Sequence, residues 1–156
     1  MDIVLARALH VLAVVHWIGG LAFVTLVVLP FARTRRTAHE SLAVFESVER
    51  RFSAQARISI PLAGITGLWL TYRMDLWFRF HDPRFWWMTT MFGLWLFFML
   101  MLFVLEPLLH DRFAHQAAQA PERVFRRMSR LHEVLLFLSG LTVLGAVAGS
   151  HGGLLF

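Results

Sequence analysis

Four long apolar runs limit the folds open to this chain more than any other feature. They cover residues 4–29, 54–73, 85–109 and 129–150, and each is near or beyond the roughly 20 residues that a helix needs to cross a bilayer. Soluble domains carry about a quarter charged residues, whereas 16% of these 156 residues are charged and 58% are hydrophobic. The sequence therefore predicts an all-α integral membrane protein, a single domain over residues 1–156 that folds as a four-helix bundle.

The arginines predict how the four spans are oriented. All fifteen basic residues are arginine, and those in or beside the first and third connections outnumber the rest, which are Arg7, Arg73, Arg79 and Arg84. Positively charged residues accumulate on the cytoplasmic side of short loops. We therefore expect both termini on the periplasmic side of a bacterial inner membrane. Because these arginines flank spans, they indicate contact with the lipid bilayer and no nucleic-acid partner.

The chain has no cysteine, which excludes disulfides, thiolate metal sites and covalently attached c-type haem. Any metal or cofactor has to be held by histidine, methionine, carboxylate or backbone groups. The first apolar run is longer than the core of a signal peptide and shows no clear small-residue cleavage site. We expect it to remain in place as the first helix.

Local signals predict where several helices begin, bend and end. "TAHE", from Thr37 to Glu40, is a capping-box pattern, so a helix should start there and run on into the second span. Pro61 is expected to bend that helix, and Pro107 to bend or end the third. Pro121 suits the start of a helix that continues into the fourth span.

Small residues indicate where the helices approach one another closely. Glycines recur on the first two spans, and the fourth carries "GAVAG", a small-xxx-small pattern typical of helix packing in membranes. These faces also offer a surface for a homodimer. Five tryptophans are expected mainly in an interfacial belt. Trp17 lies one heptad after His10 and on the same helix face, so it is expected to line an interior pocket.

Four histidines lie in or at the ends of the first and fourth spans: His10, His16, His132 and His151. An ionisable residue inside a span needs a partner and is a functional candidate by default. At about 1.5 Å per residue, His10 lies roughly 10 Å and His151 roughly 18 Å to the outer side of the midplane. His16 lies near the midplane, and His132 about 10 Å to its cytoplasmic side. Two ligands of one haem iron come from different helices, so His10 with His151 and His16 with His132 are the candidate pairs.

Simpler explanations remain open for each of these candidates. A buried histidine often only bonds to a neighbouring backbone, serine or threonine. Arg7 and Arg73 at the outer ends of spans can pair with haem propionates, or extend to lipid headgroups instead. Glu133 can relay protons, although a salt bridge to Arg127 or Arg130 is the simpler expectation.

Three segments show a family resemblance. "RALHVLAVVHWIGGLAFV", "ERRF…ISIPLAGITGLWL" and "FRRMSRLHEVLLFL" resemble the first, second and fourth helices of HemJ-type protoporphyrinogen oxidases, and the first two also resemble CopD-type copper-resistance proteins. The resemblance implies a four-helix inner-membrane protein that often binds b-type haem, with His10 matching the family's first-helix histidine. HemJ-type enzymes carry a functional lysine on the third helix. This chain has no lysine, which argues against protoporphyrinogen oxidation.

The leading hypothesis is a b-type haem protein that transfers electrons or acts as an oxidoreductase linked to the quinone pool. His10 and His151 would ligate the iron, His16 and His132 would form a second site if there is one, and Arg7, Arg73 and Trp17 would complete the haem site. The CopD-type resemblance implies copper transport or delivery instead, with Met88 and Met91 as soft ligands for Cu(I). A haem-free scaffold subunit is the third alternative.

Overall fold

The computed structural model describes residues 1–150, except for the side chain of His110, and this part of the chain is helical with no strand. Helix α1 spans Asp2–Arg33 and α2 spans Ala38–Arg73. Helix α3 spans residues 86–119 and α4 spans Pro121–Ser150. Two short 3₁₀ turns, Trp77–Phe80 and Pro83–Phe85, connect α2 to α3. The all-α prediction is confirmed for the described residues.

Three of the helical stretches are long and apolar enough to cross a membrane: Asp2–Arg33, Pro83–Leu109 and Pro121–Ser150. The second predicted span, 54–73, lies inside α2 and is not among them. Its lower hydropathy has a clear source, because Gln55, Arg57 and Thr66 interrupt the apolar residues. The structure thus supports a membrane protein, while the fourth span and the orientation of the termini stay predictions.

The capping box at the start of α2 is confirmed, with one difference. The Thr37 hydroxyl accepts a hydrogen bond from the backbone N–H of Glu40 at 3.2 Å. The Glu40 carboxylate accepts from the backbone N–H of Arg36 at 3.2 Å, one residue before the N-cap residue. From this cap the helix continues for 36 residues and passes Pro61 without interruption, as the sequence predicts for its run into the second span.

A π-helical segment precedes a proline in both α1 and α3. The segments are Val24–Val28, before Pro30, and Met101–Leu105, before Pro107. A proline inside a helix donates no hydrogen bond and clashes with the carbonyl four residues earlier, which in both helices lies inside the π segment. The wider π turn relieves that clash. Helix α3 therefore continues past Pro107 to Gln119, and the alternative that Pro107 ends the helix is wrong.

Helix α2 lies at the centre of the packing. One buried cluster joins Trp17 of α1 and Leu102 of α3 to Ile60 of α2. A second cluster joins the end of α1 and the start of α4 to Phe45 of α2, which is 1% exposed. Outward-facing positions on the other helices carry large apolar side chains, among them Phe137 at 70% exposure. Helix α2 also exposes large apolar side chains, at Ile58 and Ile65, and large exposed apolar patches are typical of surfaces that contact a membrane.

Glycines of α2 and α4 accommodate tryptophan rings of α3. Gly64 faces the indole of Trp95, and Gly149 faces the indole of Trp87. The Trp95 Nε1 also donates to the carbonyl oxygen of Ile60 at 3.0 Å. The prediction that small residues mark close helix contacts is confirmed at these positions. Trp87 and Trp95 pack inside the protein, so the expectation of a mainly interfacial role does not hold for them.

Gly64→Ala should destabilise the protein, because its methyl group would occupy the space of the Trp95 ring. Overpacking of this kind costs about 1–3 kcal/mol, so thermal unfolding in detergent, followed by tryptophan fluorescence, should occur at lower temperature. Gly93→Ala on α3 is the matched control, since nothing lies within 4 Å of its added methyl group and alanine favours helix. Equal melting temperatures for the two variants would contradict the packing described here.

Candidate functional site

His10 lies on α1 and is half-buried against α2. Its Nδ1 is 2.9 Å from the carbonyl oxygen of Ala63 and 3.3 Å from the hydroxyl of Thr66. A carbonyl oxygen can only accept, so Nδ1 carries the proton and donates to Ala63. The other ring nitrogen, Nε2, then keeps a free lone pair. The contact across the two helices fixes both the orientation and the tautomer of the imidazole.

Two local features of α2 make room for this ring. Gly67 has no side chain, and a methyl group there would lie 3.0 Å from Cε1 of His10. The Thr66 hydroxyl donates its proton to the backbone carbonyl of Leu62 at 2.6 Å. Its oxygen can therefore accept from His10 Nδ1, 3.3 Å away. Gly67 is one of the second-span glycines that the sequence predicts at close helix contacts. The sequence gave no indication that Ala63 and Thr66 are the partners of His10.

His16 is exposed on a groove between α1 and α2. Its Nε2 donates to the side-chain oxygen of Gln55 at 3.1 Å. The groove encloses about 430 Å³, and its walls include Gly19, Gly20 and Arg51. Gly19 has open space beside it, whereas the ring of Phe52 packs directly against Gly20 and forms part of the wall. The groove therefore has one hydrogen-bonded pair, His16 and Gln55, at its edge.

His132 of α4 faces the first half of α2. Its Nδ1 donates to the carbonyl oxygen of Met128 at 3.0 Å, and its ring lies edge-on to Phe45 with 5.3 Å between centroids. The Nε2 is 3.9 Å from the carboxylate of Glu49. Burial, followed by the negative charges of Glu106 and Glu46, raises the pKa of Glu49 to about 7. Glu49 is therefore a carboxyl group that exchanges its proton near neutral pH.

The structure places His16 and His132 against different turns of α2. Their polar partners, Gln55 and Glu49, are six positions apart, which corresponds to about 9 Å along the helix. Among the described side chains, which are those of residues 1–150 without His110, no three of His, Cys, Asp or Glu gather closely enough to hold a metal ion. His151 lies outside the described residues. Both predicted pairings around a haem iron therefore stay predictions.

The other predicted site residues are Arg73, Arg7 and Trp17, and each contacts a different neighbour. Arg73 forms an ion pair with Asp2 at 2.9 Å, which joins the start of α1 to the end of α2. Arg7 donates to the sulfur of Met74 at 3.5 Å. Trp17 packs edge-on against Phe98 at 4.9 Å. The indole N–H of Trp17 is buried and has no hydrogen-bond acceptor among the described residues, so this donor is available to a ligand.

Glu133 is paired differently from the sequence-based expectation. Its carboxylate accepts a hydrogen bond from Arg33 at 2.7 Å, and not from Arg127 or Arg130 of its own helix. The pair joins the end of α1 to α4. A local sequence pattern favours neighbours one helical turn away, so it could not point to a partner 100 residues distant.

The raised pKa of Glu49 predicts a pH dependence of stability. The folded protein binds this proton more tightly than the unfolded chain, whose carboxyl has the ordinary pKa of 4.5. The stabilisation is complete below pH 4.5 and is lost as the pH rises through about 7. Glu49→Gln should therefore raise the melting temperature at pH 8 by a few degrees and reduce its change between pH 6 and 8.

Glu46→Gln is the comparison variant for this experiment, because Glu46 lies on the same helix with its side chain exposed and its charge is the smallest of the three causes that raise the pKa of Glu49. It should retain most of the pH dependence of the unmodified protein. Thermal unfolding in detergent at several pH values measures all three proteins. A Glu49→Gln variant with the same pH profile as the unmodified chain would show that Glu49 ionises normally.

No protein-family model matches this sequence, and no curated protein or solved structure matches it either. Support for a function therefore comes from the contacts of His10, His16 and Trp17 and from the sequence itself.

Proposed function

We propose that this chain is a b-type haem protein of the bacterial inner membrane, with both termini outside, in which His10 binds the haem iron. The contact that carries the proposal is the bond from His10 Nδ1 to the Ala63 carbonyl. Histidines that ligate metals almost always donate their second ring N–H to a carbonyl, carboxylate or water, which orients the ring and increases its basicity. His10 has this arrangement, with Nε2 left free for a metal.

The residues around His10 fit a haem in two further respects. The buried indole N–H of Trp17 lacks an acceptor among the described residues. It lies seven residues from His10, two turns along the same face of α1. Among the described residues, the guanidinium of Arg7 contacts only the sulfur of Met74. It is therefore available to a propionate carboxylate at the outer end of the helices. His151 is the proposed second ligand.

Haem supplies one-electron redox chemistry when it is bound, and two histidine ligands leave no open position on the iron for oxygen. We therefore propose electron transfer as the function. The chain's own contribution is to hold His10 in one tautomer between α1 and α2 and to exclude water from the buried cluster around Trp17.

We further propose that the groove beside His16 receives a quinone. His16 and Gln55 form a polar pair at its edge, which suits the carbonyl oxygens of a quinone ring. Gly19, which has open space beside it, and the ring of Phe52 provide an apolar wall against which a quinone ring can lie. Small-molecule sites typically combine such apolar walls with a few placed polar groups. In this proposal His16 is a hydrogen-bond partner of the quinone and not a ligand of a second haem.

The test is the visible spectrum of the protein purified from haem-replete cells, oxidised and reduced, with a pyridine haemochrome to count haem per chain. We expect a low-spin b-type spectrum. His10→Ala should lose most of the haem, whereas His81→Ala, at an exposed position between α2 and α3, should retain it. Thr66→Val, which removes the hydroxyl near Nδ1, should keep haem but change its midpoint potential.

A colourless protein, or a His10→Ala spectrum equal to that of the unmodified chain, would overturn the proposal. Metal analysis of the same preparation separates the alternatives. Bound copper that is lost on replacing Met88 and Met91 would favour CopD-like transport or delivery. A protein without haem or copper would favour a scaffold subunit, whose association as a homodimer can be measured in the same detergent.

A further inference from the structure

A second cleft lies between the end of α1 and the first half of α4, away from His10 and His16. It encloses about 370 Å³ and is lined by Arg33, Phe125, Arg126, Ser129, Arg130 and Glu133. Three of its six lining residues are arginines. By the distribution of arginines along the chain, this end of the helices faces the cytoplasm.

The charges around this cleft do not cancel. Arg33 and Glu133 neutralise each other through their 2.7 Å ion pair. Arg126 and Arg130 follow one another at a spacing of one helical turn, and neither has a hydrogen-bonding or ionic partner among the described residues. Like charges four residues apart on a helix repel each other. An anion between these two guanidinium groups would remove that repulsion.

Ser129 provides an independent indication of a ligand. It is 2% exposed, and its hydroxyl has no hydrogen-bond partner within the described part of the chain. Hydroxyl groups on membrane helices usually bond to the carbonyl four residues earlier, as Thr142 does to Leu138 at 2.7 Å in the same helix. Buried polar groups are rarely left without partners. Ser129 instead lines the cleft, where its hydroxyl can donate to a bound group.

We propose that this cleft binds a phosphate group, held by the guanidinium groups of Arg126 and Arg130 and by the hydroxyl of Ser129. Arginine suits phosphate because its planar fork donates two parallel hydrogen bonds to two oxygens. Basic pockets between helices on the cytoplasmic side are places where anionic lipid headgroups bind. The phosphate belongs either to a phospholipid headgroup or to a small soluble phosphate. This inference does not depend on the proposed haem site.

The test uses the full chain in a neutral detergent and two probes, phosphatidylglycerol and inorganic phosphate. Native mass spectrometry measures bound lipid, and the shift in melting temperature measures both probes. The cleft variant is R126Q/R130Q. The matched control is R123Q/R127Q, which removes two arginines with the same spacing from the same helix but outside the cleft lining. Ser129→Ala tests the hydroxyl alone.

We expect R126Q/R130Q to bind phosphatidylglycerol more weakly by a factor of roughly a hundred or more, since two guanidinium contacts are lost and each hydrogen bond to a charged group contributes about a factor of ten or more. Ser129→Ala should weaken binding severalfold, and R123Q/R127Q should bind about as well as the unmodified chain. Competition by inorganic phosphate would identify a site for small phosphates. Binding of the lipid without such competition would identify a headgroup site.

Equal losses in the cleft variant and the control would overturn the proposal, because they would indicate attraction to positive charge anywhere on α4. Failure of the unmodified chain to bind either probe would overturn it as well. The melting temperature without added probe shows whether each variant is folded. Ser129→Ala keeps the proposal testable if the double variant does not fold, because that change leaves all the arginines in place.

Discussion

Buried polar groups need hydrogen-bond partners inside the protein, and α2 accepts the hydrogen bonds of three side chains from α1 and α3. The carbonyl of Ala63 accepts from His10 of α1, and the carbonyl of Ile60 accepts from Trp95 of α3. Gln55 accepts from His16 at the edge of the groove. Helix α2 therefore has two different faces, with buried polar residues such as Thr66 on its packed side and exposed apolar residues such as Ile58 and Ile65 on the other.

The sequence alone predicts the helical class, the helix starts and the close contacts at glycines, because these depend on local patterns. The cap at Thr37 and the start at Pro121 belong to this group. The sequence alone does not predict that α3 continues past Pro107. A proline usually ends or bends a helix, and only the three-dimensional structure shows that the π-helical segment Met101–Leu105 lets the helix pass Pro107.

The candidate site was predictable in part, for a related reason. His10 stands out in the sequence because an imidazole in an apolar run needs a partner. Its acceptor, the backbone carbonyl of Ala63, has no side-chain signature and depends on how α1 and α2 pack. The same applies to Ser129, which the sequence does not distinguish from other helical serines. Only the structure shows that it is buried and that its hydroxyl has no hydrogen-bond partner among the described residues.

The pair between Arg33 and Glu133 has a consequence for how the protein is made. Its two residues are 100 positions apart, and ribosomes add about 5–20 residues per second, so Arg33 waits roughly 5–20 s for its partner to be synthesised. During that interval α1 is held first by α2, through His10 and Ala63 and through the ion pair of Asp2 with Arg73. Once α3 is made, Trp17 of α1 can also pack against Phe98. The cleft at Ser129 forms only when α4 has joined α1, so occupation of that cleft by a phosphate would mark the end of membrane insertion.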